Sequence, residues 1–422
     1  MNEPKLRFKK DDGSRFPDWK EKKLGDITEK VVRKDENSTA DIRMISQGNG
    51  FILQSDKYSK ENAGQSLKKY TLLKRDEFAY NHGASKVKPY GVCYRLCESD
   101  EARVPYVYHT FKLIDDDSNF WNYALNTSYM DRQLKKMVSS GARMDGLLNI
   151  GYDTYMSINV HAPSLPEQHK IASLFTELDT LIQSAEKELE GYRELKQGML
   201  QKMFPKKGEA TPEIRFPEFT GDWEHRKFGE VLETVTDYVA AGSFADLAKN
   251  VEYKDYPDYA QLIRTMDLKN GFTSAQEVYV DKNAFDYLHR VNMDKECIIL
   301  PNIGNCGEVY YVKPESLPYE HNVLGPNAIF VRSETCANNF LSILLQAKDF
   351  QTKLKLIVSP NGQTKFNKTE LKGIDLILPG NVYEQEKIGQ YFENLDSLIA
   401  LQQKEIDGYK ELKKGLLQQM FC

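Results

Sequence analysis

The residues best suited to chemistry lie on polar, glycine-bearing turns. The stretch Tyr80-Asn81-His82-Gly83-Ala84-Ser85-Lys86-Val87-Lys88-Pro89-Tyr90-Gly91 follows a short apolar run and gathers amide, imidazole, hydroxyl, ammonium and phenol groups. An asparagine amide matches the N6/N7 edge of adenine, and lysine suits guanine or phosphate, so the chemistry is hydrogen-bonded readout rather than bond making. Asn81, His82, Ser85, Lys86, Lys88 and Tyr90 are the candidates on this turn. Its counterpart, Asn302-Ile303-Gly304-Asn305-Cys306-Gly307, adds Asn302 and Asn305. A second pair of turns, Ser139-Ser140-Gly141-Ala142-Arg143 and Ser359-Pro360-Asn361-Gly362-Gln363-Thr364-Lys365, offers Arg143, Asn361, Gln363 and Lys365. A third pair, Arg43 to Asn49 and Arg264 to Asn270, offers Arg43, Gln47, Arg264 and Lys269. For each turn the alternative is a set of solvated polar groups, and Arg43 and Arg264 suit internal ion pairs equally well.

Signatures of bond-making chemistry are missing. The sequence has no GxxxxGK[ST], GxGxxG, HExxH or GxSxG pattern. It also lacks the Asn/Asp-Pro-Pro-aromatic tetrapeptide with which amino-methyltransferases hold a flipped base. Pro17-Asp18 and Glu21-Lys22-Lys23 are spaced too closely to occupy the two strands of a nuclease site. Cys93 and Cys97 are half a zinc site at best, and seven scattered histidines suggest no metal centre. With no catalytic pattern, no metal site and no cofactor fingerprint, an enzyme is not expected.

The elements that must position these turns come in duplicate. Glu167 to Phe204 reappears as Glu384 to Phe421, at an offset of 217 without a gap and with 21 identities in 38 positions. Weaker matches are collinear: Pro4 to Phe8 with Pro212 to Phe216, Trp19 to Ile27 with Trp223 to Val231, and Asn81 with Asn302. The 422 residues therefore divide into two tandem halves, each a divergent module followed by a nearly constant segment. The expected boundaries are a module over 1–162, a helical spacer over 163–205, a second module over 206–378 and a second spacer over 379–422. Short runs such as Gly91 to Tyr94, Tyr106 to Tyr108, Cys297 to Leu300, Val309 to Val312 and Ala328 to Val331 predict strands. Phe120 to Val138 and Asn338 to Leu356 predict one amphipathic helix per module, so the fold class is α+β with two mixed α/β modules.

The constant segments predict long helices. Ile171, Phe175, Leu178, Ile182, Leu189, Tyr192 and Leu195 alternate three and four apart for most of their length, and Ile388, Phe392, Leu395, Ile399, Ile406, Tyr409 and Leu412 repeat the stripe. Thirty-eight residues make a helix of about 57 Å. Two copies with one seam suit antiparallel pairing in a pseudo-twofold coiled coil, with Gly191, Gly198, Gly408 and Gly415 leaving room for close approach. No run reaches the length of a membrane-spanning helix and the first residues lack a signal peptide's apolar core, so a cytoplasmic protein with no membrane partner is expected. The net charge of -5 argues at first against nucleic acid. By segment, however, residues 1–160 carry 27 basic and 23 acidic side chains against 20 and 25 in residues 205–378.

The chain resembles the specificity (S) subunits of Type I restriction-modification systems. The resemblance rests on two divergent modules alternating with two repeated helical segments that open Glu-Gln-x-Lys-Ile and close Gly-Tyr-x-Glu-Leu-Lys-x-Gly. It implies two target recognition domains, each reading half of a split, asymmetric double-stranded DNA sequence, with the paired helices fixing the gap. It further implies two modification subunits that use S-adenosylmethionine to methylate adenine, and two restriction subunits that use ATP and Mg2+. This chain itself would bind no cofactor. Individual base contacts do not transfer with the resemblance. The alternative is a coiled-coil scaffold whose modules bind proteins and ignore DNA.

Overall fold

The computed structural model describes residues 4–48, 50–58, 64–83, 85, 88–138, 147–272, 276–359 and 364–421. They form two units, one of residues 1–186 with 404–422 and the other of residues 187–403. Each long helix, Leu165–Lys202 and Val382–Met420, contributes to both.

The first unit is built on a four-stranded antiparallel sheet in the order Thr28–Lys30, His109–Leu113, Phe78–Asn81, Val92–Arg95. Beside it, Lys20–Lys23 pairs with Asn159–Ala162, the strand that leads into the first long helix. Large aromatic side chains make up its core. Phe78 stacks on Phe111 at 5.3 Å, Tyr80 on Tyr155 at 3.9 Å, and Phe120 meets Trp19 and Trp121 edge-on. The end of the second long helix belongs to the same core, with Met420 buried and Phe421 against Trp19, Phe120 and Phe175.

The second unit repeats this plan. Its sheet runs Thr234–Asp237, Ala328–Arg332, Cys297–Pro301, Tyr310–Val312, and Glu224–Lys227 pairs with Asp375–Leu378 ahead of the second long helix. Here the end of the first long helix closes the core, with Phe204 against Trp223, Phe340 and Phe392. One backbone bond recurs as well: Leu6 N donates to Gln419 O at 3.0 Å, and Ile214 N to Lys202 O at 2.9 Å.

The repeated Glu-Gln dipeptide is explained by burial. Glu167 and Glu384 are 0% and 1% exposed, and each receives a two-pronged guanidinium from the segment ahead of its module. Arg7 reaches Glu167 at 3.0 and 2.8 Å, and Arg215 reaches Glu384 at 2.7 and 2.8 Å. The neighbouring Gln168 and Gln385 donate to the carbonyls of Pro163 and Pro379 and accept from Asp117 N and Ala337 N. Unpaired, such a buried carboxylate would cost several kcal/mol, so these four side chains fix where each long helix begins.

Within each unit the two long helices run antiparallel. In the first, Asp179 meets Lys413 and Glu186 meets Lys410 at 2.7 Å. In the second, Lys196 meets Asp396 at 2.6 Å and Arg193 donates to Gln403 at 3.4 Å. Asp179 with Lys413 and Asp396 with Lys196 are the same two repeat positions used reciprocally, as an isologous pairing requires. Ile171, Phe175, Leu178, Ile182, Leu189, Ile388, Phe392, Leu395 and Ile406 are buried, each contributing roughly 1.5–3 kcal/mol. Tyr192, Ile399 and Tyr409 are half-buried.

Three sequence expectations are corrected. Leu195 and Leu412 do not sit in the seam but are 40% and 51% exposed, because a 3.6-residue helix drifts about 20° per heptad away from a 3.5-residue stripe. Phe120 to Val138 is two helices, Ser118–Ala124 and Ser128–Met137. The break falls at Asn126, whose amide both donates to and accepts from the Cys93 backbone. Asn338 to Leu356 likewise divides into Asn338–Leu344 and Lys348–Ile357. Tyr106 to Tyr108 is a turn, started by Pro105, whose carbonyl accepts from Tyr108 N.

Candidate nucleic-acid interface

In the first unit the first and third predicted turns come together, while the second, Ser139 to Arg143, lies outside the described residues. Asn81 ends its strand and its Oδ1 accepts from Gly83 N at 3.0 Å, which sets the turn. Gly83 forms an antiparallel bridge with Leu147, and Leu148 N donates to His82 O, so the turn is laced to the segment that follows 139–146. From the third turn, Gln47 Oε1 accepts from Ser85 Oγ at 2.6 Å. Gly48 N donates to Tyr94 OH, fixing that hairpin over the sheet. Lys88 spans to Asn126 O at 3.0 Å, with Asp131 3.9 Å away, and burial raises the Asp131 carboxyl against the pull of that ammonium. Tyr90 is half-buried, with its carbonyl accepting from Tyr80 OH.

His82 is only 7% exposed and its two ring nitrogens face Leu148 O at 2.8 Å and Val107 O at 3.0 Å. It stacks on His109 at 4.8 Å, and His109 Nε2 faces Ile150 O at 2.8 Å. Burial depresses the His109 pKa, and the neighbouring His82 and Lys30 push the same way against the Ile150 carbonyl. The two imidazoles thus hold residues 148–150 under the turn. Arg43 is also largely inside, bonded to Phe51 O at 3.3 Å and 3.6 Å from Asp41.

The second unit joins the described residues of its turns in a similar way. Ile303 bridges Lys365, Gly304 N donates to Thr364 O, and Thr364 Oγ1 donates to Gly304 O at 2.8 Å. Lys269 of the third turn reaches Glu308 Oε1 at 2.8 Å. Burial would raise the Glu308 carboxyl, but hydrogen bonds from Lys269 and Tyr310 win and hold it low. Asn302 donates to Phe366 O at 3.4 Å, and Asn305 and Lys365 are exposed. Arg264 is committed internally: it forks onto the buried Asp267 at 2.9 and 2.8 Å and caps the helix Thr265–Lys269. Lys86, Arg143, Asn361 and Gln363 lie outside the described residues.

Each unit therefore presents one polar surface of amide, hydroxyl and ammonium groups carried on turns and stiffened from beneath. Such a surface can read hydrogen-bonding edges without making or breaking bonds. Among the described residues no cluster of three metal-ligating side chains occurs, and no helix is long and apolar enough to cross a membrane. Sequence reasoning missed the cations along the first sheet strand of each unit, Lys30, Lys34 and Lys69 in one and Arg290, Lys295 and Lys372 in the other. A signal existed: Lys68-Lys69 and His289-Arg290 share the offset of 221 that relates Asn81 to Asn302.

Comparison with known proteins agrees with this geometry. Residues 220–410 match the Type I restriction modification DNA specificity domain. The chain is 23% identical over 317 residues to the Type I restriction enzyme MjaVIII specificity subunit of Methanocaldococcus jannaschii, covering 72% of this chain and 69% of that protein. Its fold is similar to the crystal structure of a Type I restriction-modification S subunit from M. genitalium, with a TM-score of 0.56 and 15% identity over 100% of this chain and 99% of that one. A chain from a structure on assembly and conformational transition of the type I R-M system gives 0.53 at 12% identity, over 96% and 98%. With its duplicated modules and repeated helices, the chain is similar to the specificity subunits of Type I restriction-modification systems.

Proposed function

We propose that the chain is the DNA-reading, non-catalytic subunit of such a system, each module reading one half of a split, asymmetric target through the major groove. The observation that carries this reading is the convergence of polar turns on one surface in each unit, reached by different side chains on the same scaffold. Gln47, Asn81, Ser85, Lys88, Asn305 and Lys365 on that surface are candidates for contact, and Lys86, Arg143, Asn361 and Gln363 are candidates by sequence alone. His82 and Arg264 serve by holding the turns. The functional boundaries are a recognition domain over 1–162, a spacer over 163–205, a second domain over 206–378 and a second spacer over 379–422.

The long helices set the gap between half-sites and dock two modification subunits, which use S-adenosylmethionine to methylate adenine N6. Restriction subunits using ATP and Mg2+ join through them, in the cytoplasm. The docking face follows from exposure. Gly191, Leu195 and Gly198 fall at i, i+4 and i+7, as do Gly408, Leu412 and Gly415, and a Cβ added to any of these glycines meets nothing within 4 Å. Leu181 and Leu398, again equivalent positions, are 47% and 42% exposed. Each unit thus carries the same apolar pair, Leu181 with Leu412 in one and Leu398 with Leu195 in the other, which suits one copy of the same partner per unit. The test is module exchange. Replacing residues 1–162 with another recognition module should change one half of the methylated sequence, as mapped by sequencing of modified adenines. A change in both halves or in neither refutes the reading.

A further inference from the structure

Beside the recognition turns each unit has a cationic cleft that the functional reading does not use. In the first unit it measures about 330 Å3 and lies along the edge strand Thr28–Lys30, with Lys30, Lys34 and Lys69 among its lining residues and no carboxylate. In the second it measures about 670 Å3 and lies along the equivalent edge strand Thr234–Asp237, lined by five cations, Arg290, Lys295, Arg332, Lys368 and Lys372, against Glu233 and Asp294. Arg332 and Lys368 are held by Asp294 at 3.6 Å and Asp237 at 2.8 Å. The remaining six side chains, three per cleft, are exposed and form no ion pair among the described residues.

The two clefts occupy the same place in the fold. Each is flanked by the sheet's edge strand and its neighbour, His109–Leu113 or Ala328–Arg332. Lys69 and Arg290 are related by the offset of 221, whereas Lys74, the counterpart of Lys295, lies outside the cleft and faces Glu101 at 4.0 Å. Each cleft is therefore cationic, with one cation at a shared repeat position, in modules whose recognition turns have diverged. A feature kept while the readers change is suited to a ligand part that does not change with sequence. The edge strand is two strands from the strand that ends in Asn81 or leads into Asn302, about 10 Å at the usual strand spacing. That distance is comparable to the roughly 12 Å width of the major groove, so a base edge read at the turn places its flanking phosphates near the cleft.

We propose that these equivalent clefts bind the phosphodiester backbone of duplex DNA beside each half-site, Lys30, Lys34 and Lys69 in one unit and Arg290, Lys295 and Lys372 in the other. In the first unit Lys30 lies 4.4 Å from the centroid of the Tyr152 ring and Lys69 5.8 Å from that of Tyr106, so the aromatic faces hold two ammonium groups at the cleft without neutralising them. The inference rests on the DNA-reading function proposed above.

The experiment measures DNA affinity of the assembled complex against salt. Its variants are the triple Lys30→Gln/Lys34→Gln/Lys69→Gln and, separately, Arg290→Gln/Lys295→Gln/Lys372→Gln. Three lost phosphate contacts should lower the slope of log affinity against log salt by about 2.7, so that raising salt from 50 to 200 mM costs each variant about 40-fold less affinity than it costs the native complex. Target and mismatched duplexes should weaken alike, the methylated sequence should stay the same, and Lys30→Arg/Lys34→Arg/Lys69→Arg should restore the slope. An unchanged slope in a complex that still selects its target overturns the clefts alone, whereas a native complex that cannot tell target from mismatch overturns the DNA-reading function. Loss of partner-subunit assembly with the slope preserved would make the clefts sites for an acidic protein surface and also overturn the proposal.

Discussion

Replacing Arg215 with alanine should destabilise the second unit far more than an exposed ion pair would. The Glu384 carboxylate is 1% exposed and takes two charge-assisted bonds from Arg215, at 2.7 and 2.8 Å, and a third from Trp223 Nε1 at 3.3 Å. The substitution leaves that buried charge with only the indole, and breaking such a pair costs about 3–5 kcal/mol. Against the 5–15 kcal/mol of a typical domain, that is a large fraction. Removing both charges should be mild, because a buried pair exchanged for apolar groups is often neutral. Arg215→Met/Glu384→Met should therefore recover most of what Arg215→Ala loses. Urea unfolding of the full chain gives the magnitudes, and hydrogen exchange localises the loss to residues 187–403. A single substitution costing under about 1 kcal/mol, or a double costing as much as the two singles together, refutes the argument that the pair anchors the helix start. Arg7→Ala tests the equivalent anchor of Glu167 in the first unit.

Other expectations follow from exposure, burial and helix geometry. Leu189→Ala, at a 5% exposed seam position, should cost about 2–5 kcal/mol, while Leu195→Asp, at 40%, should leave thermal stability within about 1 kcal/mol. Leu195→Asp and Leu412→Asp should instead abolish capture of the modification subunit in a pull-down, and normal capture refutes the docking face. Burial lowers the pKa of His109 and, against Glu21, that of His161. The folded state then binds fewer protons than the unfolded one below about pH 6.5, so the first unit should lose stability as pH falls from 6.5 toward 5. Exchange protection of His109–Leu113 and Asn159–Ala162, corrected for intrinsic rates, should drop over that window, and His109→Gln should flatten the drop; equal protection at both pH values refutes it. Inserting whole helical turns near Gln183 or Leu401 should lengthen the gap in the methylated sequence without altering either half. An unchanged gap refutes the spacer role.

Much of the architecture was legible because repetition and periodicity are properties of the chain. The offset of 217 announced two halves, the three-four alternation announced the long helices, and the missing catalytic patterns pointed to recognition. The choice of turns was legible too, since amides and ammonium groups beside glycine have few other uses. What no window of sequence contains is which side chain meets which across a hundred residues or more. Asn126 was read as helix because its pull on the Cys93 backbone depends on a strand thirty-three residues away. Leu195 and Leu412 were read as seam because periodicity alone does not show where a straight helix rotates away from its partner. The tertiary structure also divided the polar residues into those spent internally, such as His82 and Arg264, and those left at the surface, such as Asn305 and Lys365. The physical reason is the same in each case: pattern sets local conformation, but burial and long-range pairing determine which charges are neutralised and which remain exposed.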